Sequence, residues 1–281
     1  MNYDFKKDVD FIFTVSGNDL TSLAEKIGIS KRTLLYALEG NPSPQVLEKT
    51  YSYIYKSGYV LSEAKNELFL ESLTGNEKLF YHGSRYGIDQ ITADGSRLTS
   101  DFSRGFYCSE SLGAAVSFVE EYQSSSVYAF KADLSGLKTF EFDCDLDWML
   151  AISYFRHKLS NYQSHKYISS ILDKLSGKDV IIAPIVDNKM FEILNQFSNG
   201  EITSVQALHS LSASRLGKQY VFKTSKAINS LIFLDRYYLC DEERSHSILS
   251  SIDRNKIIQT KLDLAKREYR GKGKYIDEIL K

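Results

Sequence analysis

Cysteine is scarce in this chain of 281 residues: Cys108, Cys144 and Cys240 are the only three, and they stand far apart. An odd, scattered set has neither the spacing of a zinc site nor a disulfide framework, which points to buried thiols in a reducing compartment. Charge of one sign is also lacking, the formal net charge being -1. No global field then draws the protein to nucleic acid or membrane, and any basic function must be local. No apolar run approaches the thickness of a bilayer; the stretch Val180–Val186 is far too short. The opening Met1-Asn-Tyr-Asp-Phe-Lys-Lys carries acid and no continuous apolar core, so no secretory leader is expected. Internal repeats and low-complexity segments are missing. Together these absences predict a cytoplasmic protein with no membrane partner.

What is present is an ordinary globular composition, 43% apolar and 25% charged, in a length that suits two domains. Asp19 to Glu39 reads as two short helices. Asp19 caps the first, whose apolar positions Leu20, Leu23, Ala24 and Ile27 have helical spacing, and Gly28 ends it. Ser30 caps the second, Lys31–Leu38, which Gly40-Asn41-Pro42 stops. A third, with Pro44 in its first turn, carries Val46, Leu47, Tyr51, Ile54 and Tyr55. The string Leu23-Ala24-x3-Gly28-Ile29-Ser30-x2-Thr33-Leu34 resembles the repressor-type helix-turn-helix. The resemblance implies a second helix in the major groove, with Lys31, Arg32, Thr33 and Tyr36 on phosphates and base edges. Against it, residues 1–80 hold nine Lys or Arg and eleven Asp or Glu, whereas DNA-binding modules usually present a basic face. A helical bundle that docks another protein is the alternative.

From about Glu77 the pattern changes. Strand-like runs are expected at Leu79–Tyr81, Val127–Lys131, Val180–Ile185, Gln219–Lys223 and Leu231–Leu234. Helical periods interrupt them at Ser111–Tyr122, Leu146–Leu159, His165–Leu175, Asn188–Phe197 and Val205–Ser214. The boundaries predicted are 1–75 for the helical module, 76–240 for an α+β domain and 241–281 for a helical, basic C-terminal tail. In that tail Lys266–Lys274 holds five basic residues and one acid. Lys272 and Lys274 are its candidate nucleic-acid contacts, with ordinary solvated surface as the alternative.

The chemistry gathers at Lys78-Leu-Phe-Tyr-His82-Gly83-Ser84 and Asp101-Phe-Ser-Arg104-Gly105-Phe106-Tyr107. A strand-end His-Gly puts an imidazole beside sterically open backbone, and the Tyr that follows offers an aromatic face to a flat, hydroxyl-rich ligand. Trp148, Met149, Tyr154 and Phe155 have helical spacing and read as core. His157, His165, His209 and His246 share no ligand spacing, so no metal site is expected.

Those strings, with Asp147-Trp-Met-Leu-Ala-Ile-Ser-Tyr-Phe155, Ile182-Ala-Pro-Ile-Val-Asp187, Gln219-Tyr-Val-Phe222 and Tyr269-Arg-Gly-Lys-Gly-Lys-Tyr275, resemble a bacterial family catalogued as domain of unknown function thirty-nine-ninety. That family is in turn similar to the ADP-ribosyltransferases of the His-Tyr-Glu type, which split NAD and transfer its ADP-ribose. The resemblance implies an α+β fold: an N-terminal all-α helix-turn-helix module, then an ADP-ribosyltransferase-like split mixed β-sheet domain with helices. It implies NAD as co-substrate without a metal. His82 and Gly83 would then bind ribose hydroxyl and nicotinamide amide, with Ser84 beside them. Tyr107 would stack on the nicotinamide, Arg104 would clamp the pyrophosphate, and Gln219 would orient the reacting ribose. His82, Tyr107 and Gln219 are thus the expected catalytic residues.

One departure stands out. Many active relatives have Glu where this chain has Gln219, and an amide can hydrogen-bond but not carry charge. Glu110 and Asp187 are candidate substitute carboxylates, and Gln219→Glu is the change expected to raise NAD hydrolysis. The leading expectation is a toxin-like or phage-defence ADP-ribosyltransferase acting on a macromolecular acceptor, with NAD, DNA or RNA, and an antitoxin protein as partners. The rival is a transcriptional regulator whose second domain senses NAD or an ADP-ribosyl ligand without turnover. A third reading is a protein-interaction adaptor with both sites degenerate.

Overall fold

The structure is a computed structural model that describes every residue except 41 and 213–215. Asn41, part of the expected helix stop, and Ser214, the expected end of a helix, therefore lie outside the described residues. The chain begins with five helices: Phe5–Ser16 (α1), Leu20–Ile27 (α2), Lys31–Leu38 (α3), Pro44–Lys56 (α4) and Leu61–Glu71 (α5). Strands Glu77–Ser84 (β1) and Phe106–Ser109 (β2), helix Leu112–Ser117 (α6), and strands Ser126–Asp133 (β3) and Thr139–Glu141 (β4) come next. Helices Leu146–Phe155 (α7) and Lys166–Leu175 (α8) precede strand Val180–Pro184 (β5), and helices Asn188–Ser198 (α9) and Ser204–Leu211 (α10) follow it. The remainder is strand Lys218–Phe222 (β6), helix Ser225–Ile228 (α11), strand Ile232–Tyr238 (β7), and helices Asp241–Glu268 (α12) and Ile276–Ile279 (α13). The class is α+β, with a helical N-terminal region and strands of mixed orientation.

The first helices form for the reasons expected. The Asp19 carboxylate accepts from the Ser22 N–H at 2.8 Å, Gly28 closes α2 at φ 78°, and the Ser30 hydroxyl accepts from the Thr33 N–H at 3.0 Å. Ser43 caps α4, with Pro44 at its start. Three helices were not anticipated: α1, which buries Phe5, Val9 and Ile12, α5, which carries the buried Lys65, and the single turn α11. Two short strands, β2 and β4, also escaped the sequence reading. Each is too brief for alternation to register. The helix expected over Ser111–Tyr122 is cut to α6, and the one over Leu146–Leu159 ends at Phe155, just before His157 adopts φ 58°.

The chain forms two compact units, each assembled from separated segments. Unit 1 comprises 1–90, 115–132 and 232–249. Its strands run in the order β1-β3-β7, with β3 and β7 antiparallel and a bulge at Ala129/Phe130. Its apolar core draws Phe5, Val9, Ile12, Leu23, Leu34, Leu47, Tyr51 and Ile54 together with Tyr238 and Cys240. Inside it lies a charged triad. Lys65 Nζ is 2.5 Å from Asp8 Oδ1 and 2.7 Å from Asp235 Oδ2, and the Tyr51 hydroxyl donates to Asp8 at 2.7 Å.

Unit 2 comprises 91–114, 133–231 and 250–281. Its strand order is β4-β5-β6-β2, with β4 and β5 parallel and the other pairs antiparallel. The core of unit 2 centres on Trp148, Met149, Ile152, Ile193, Leu194, Phe197 and Val221. Trp148 and Met149 are fully buried, as their spacing predicts. The tail folds back on this unit: the Thr203 hydroxyl donates to Lys272 O at 2.6 Å, the Ser204 N–H to Lys274 O at 2.9 Å, and Ile276 and Leu280 are buried.

Candidate functional site

Strand register decides which candidates of unit 2 meet. In the antiparallel pair β2–β6, Tyr107 stands opposite Val221 and Ser109 opposite Gln219. Side chains alternate along a strand and partners across a ladder point the same way. Tyr107 and Gln219 therefore share one face, the one that packs toward the unit 2 core. Gly105 makes this approach possible, because a side chain there would meet a Val221 methyl at 2.5 Å.

The Tyr107 hydroxyl closes the loop that leads into its own strand. It donates to Ser103 O at 2.6 Å and accepts from the Phe102 N–H at 2.9 Å. Burial, outweighing these contacts, pushes its pKa up. Ser103 sits at φ 63°, left-handed backbone that an L-residue rarely holds; such a conformation costs roughly 1–3 kcal/mol and persists only where neighbours over-determine it. Here the neighbours include Lys223, whose ammonium donates to Phe102 O at 2.6 Å and to Arg104 O. Burial lowers the Lys223 pKa.

Gln219 is only 7% exposed. Its Nε2 donates to Asp101 Oδ2 at 2.9 Å and to Pro184 O at 3.1 Å, which occupies both amide hydrogens. What remains to a ligand is the carbonyl oxygen alone. Asp101, 6% exposed, accepts from Arg156 Nε at 2.7 Å through its other oxygen, with Arg156 Nη2 at 2.5 Å. The guanidinium lies over the Phe191 ring, 4.2 Å from its centroid. The carboxylate expected at position 219 is missing, but another stands one hydrogen bond away and is paired with an arginine.

The other candidates are placed as follows. The Arg104 side chain is exposed, and its carbonyl is the one Lys223 holds. Glu110 accepts from the Lys218 N–H at 2.9 Å, and Asp187 caps α9 by accepting from the Met190 N–H at 2.8 Å, so both carboxylates have structural partners. His82, Gly83 and Ser84 end β1 and belong to unit 1. The Ser84 hydroxyl donates to Gly87 O at 3.0 Å.

Gly83 is required by packing as well as by any ligand. A Cβ built on it would lie 2.5 Å from Ala115 O and 3.0 Å from a Val119 methyl. Gly83→Ala is therefore expected to destabilise unit 1 by about 1–3 kcal/mol, the usual range for overpacking, read as a lowered midpoint in urea. An unchanged midpoint would show that α6 moves aside freely.

Lys31, Arg32, Thr33 and Tyr36 are all exposed on α3, while Leu34 and Ala37 anchor its other side. Leu35, 45% exposed, interrupts that outer face with apolar surface. Lys272 and Lys274 are exposed as well, the Lys272 ammonium 5.4 Å from the centroid of the Tyr269 ring.

The residues missed from sequence are Asp101, Ser103, Arg156 and Lys223. Asp101 lay inside a motif that was noticed for its Arg-Gly-Phe-Tyr end. Arg156 is 55 positions away from its carboxylate, and no local pattern links the two. Among the described residues no group of three or more His, Cys, Asp or Glu could hold a metal ion, and no helix is long and apolar enough to cross a membrane.

Residues 79–233 match the family described as protein of unknown function DUF3990, more than half of the chain. The protein belongs to that family. No curated protein and no solved structure gives a match.

Proposed function

We propose that this protein is an NAD-dependent ADP-ribosyltransferase that transfers ADP-ribose to a macromolecular acceptor, nucleic acid or protein. Its N-terminal helices would act as a helix-turn-helix guide, and its biological role would be that of a toxin or phage-defence factor, with an antitoxin as partner. The observation that carries the reading is the shared face of Tyr107 and Gln219 with the Asp101 carboxylate 2.9 Å from the amide. Nicotinamide bound in NAD is already cationic, so its departure needs no general acid. The demand is to position the ribose and stabilise its oxocarbenium-like transition state. In this reading Gln219 offers its carbonyl to the ribose hydroxyls and holds Asp101 in place. Asp101 supplies the negative charge, tempered by Arg156. The family resemblance implies ribose and nicotinamide roles for His82 and Gly83, which belong to unit 1.

A second reading has its own support. Both Gln219 amide hydrogens are engaged and Asp101 is ion-paired. A site so neutralised suits a regulator that senses NAD without turnover. Nicotinamide release from NAD separates the two. The transferase reading expects slow release with water as acceptor and faster release with a nucleic-acid or protein acceptor. Gln219→Ala should lower turnover more than NAD affinity, because the lost contact orients the ribose in the transition state. Saturable NAD binding with no nicotinamide from any acceptor would hand the function to the sensing regulator. In the same assay Tyr107→Phe should keep NAD affinity within about threefold while its stability falls by about 1 kcal/mol, the hydroxyl that closes the loop being lost.

A further inference from the structure

We propose that unit 1 carries a binding cleft for single-stranded nucleic acid, built on Arg85, Tyr86, Tyr122 and Arg236. The cleft measures about 650 Å³ and is lined also by Tyr3 and Glu121. It is distinct from the α3 face and from the basic tail, and it does not rest on the ADP-ribosyltransferase reading.

Three observations point to this ligand. The first is the state of the two arginines. The Arg85 guanidinium carbon lies 4.3 Å from the Tyr122 ring centroid and 4.8 Å from that of Tyr86. That of Arg236 lies 4.0 Å from the Tyr3 centroid and 5.2 Å from that of Tyr128. Among the described residues neither guanidinium is ion-paired; Arg236 Nε donates to the Ser126 hydroxyl at 3.1 Å. Cations held against aromatic rings, without carboxylate partners, are ready to receive phosphate oxygens.

The second observation is Tyr86, which is 84% exposed. A phenol ring so fully in water adds nothing to the core, and its contact is with the Arg85 guanidinium, yet its loop is firmly built. The Ser84 hydroxyl donates to Gly87 O, and the Ile88 N–H donates to the Tyr128 hydroxyl at 2.8 Å. Gly87 at φ 86° brings the turn against Arg236, with Nη2 3.2 Å from where a side chain would begin. The turn thus presents Tyr86 beside Arg85 on a fixed platform.

The third is the chemistry of the lining as a set. Exposed aromatic faces stack any base, and interleaved arginines track the backbone, which is the recurring composition of strand-binding grooves. A duplex would find no use for the projecting ring of Tyr86, since its bases are already stacked. Glu121 at the cleft opposes the anion, so modest affinity with a steep response to salt is expected.

The test is titration of the full-length protein with a fluorescent twelve-nucleotide single strand, as RNA and as DNA, against a duplex of the same sequence. The parent should bind the strand in preference to the duplex, and affinity should fall with rising salt. Tyr86→Ala removes an exposed ring and leaves the fold intact; it should weaken strand binding by about tenfold, the usual effect of losing one stacked base. Arg85→Gln should weaken binding and flatten the salt dependence, and Glu121→Gln should tighten binding. Competition by ADP or NAD reports whether a free nucleotide is the true occupant. Strand binding unchanged in Tyr86→Ala and Arg85→Gln would overturn the proposal, as would occupation by ADP or NAD with no strand bound.

Discussion

Lys65→Met should lower stability by about 3–5 kcal/mol near neutral pH, the usual consequence of removing one member of a buried ion pair. Lys65 lies between the buried carboxylates of Asp8 and Asp235, at 2.5 Å and 2.7 Å. Burial opposes its ammonium, but the two carboxylates outweigh that effect and hold its pKa above the ordinary value. Asp8 shows the other side of the arrangement. Burial raises its pKa in spite of Lys65, as befits a triad with one charge too few. In the variant both carboxylates would lose their cation, and the folded-state pKa of Asp8 would rise further above the unfolded value of about 4. A carboxyl with a raised folded pKa leaves stability whole below the unfolded pKa and removes it as pH climbs through the folded one. The deficit should therefore be large at pH 8 and much smaller at pH 5, measured by urea unfolding. Asp8→Asn in the same chain should recover part of it. An equal loss at both pH values would show that Lys65 acts through packing alone.

Gln219→Glu should destabilise unit 2 by about 2–4 kcal/mol at pH 8, since it places a second carboxylate in a buried site that already holds one. The sequence alone recommends this substitution as the way to restore a catalytic carboxylate. The structure changes its meaning. The atom replaced is the Gln219 nitrogen, which donates to Asp101 Oδ2 at 2.9 Å and to Pro184 O at 3.1 Å. A glutamate would offer an acceptor to two acceptors, unless it carried a proton. Arg156 relieves part of the repulsion through Asp101. The pair should share a proton with a raised pKa, so the loss would shrink toward pH 5 by the same linkage. Unfolding at pH 5 and 8, with nicotinamide release from NAD alongside, reads both effects. Enhanced release without any loss of stability would mean that position 219 is free to face a substrate and that Asp101 is not its fixed partner.

Of the fold, the sequence alone determined what local chemistry governs. Asp19, Gly28, Ser30 and Pro44 mark helix ends because each satisfies a backbone demand within a few residues of itself, and those ends fall where expected. Trp148 and Met149 were legible as core because they sit in a helical stretch that is apolar nearly all round, which must be buried whatever its partners. The strings around His82, Tyr107 and Gln219 were enough to point to the family.

The tertiary structure decided the rest, because the deciding contacts join residues too far apart for any pattern to record. β2 has only four residues and takes its identity from pairing with β6, more than a hundred positions later. That pairing puts Tyr107 and Gln219 on one face, and a one-residue slip would have turned either away. Asp101 draws its role from Gln219 and Arg156, at separations of 118 and 55 residues. Lys65, one of four charged residues on α5, reads as solvated surface until two distant aspartates close on it. Sequence names the residue types that a chemistry needs; only folding settles whether a given carboxylate or amide is free, paired or buried, since that depends on which neighbours the chain brings back to it.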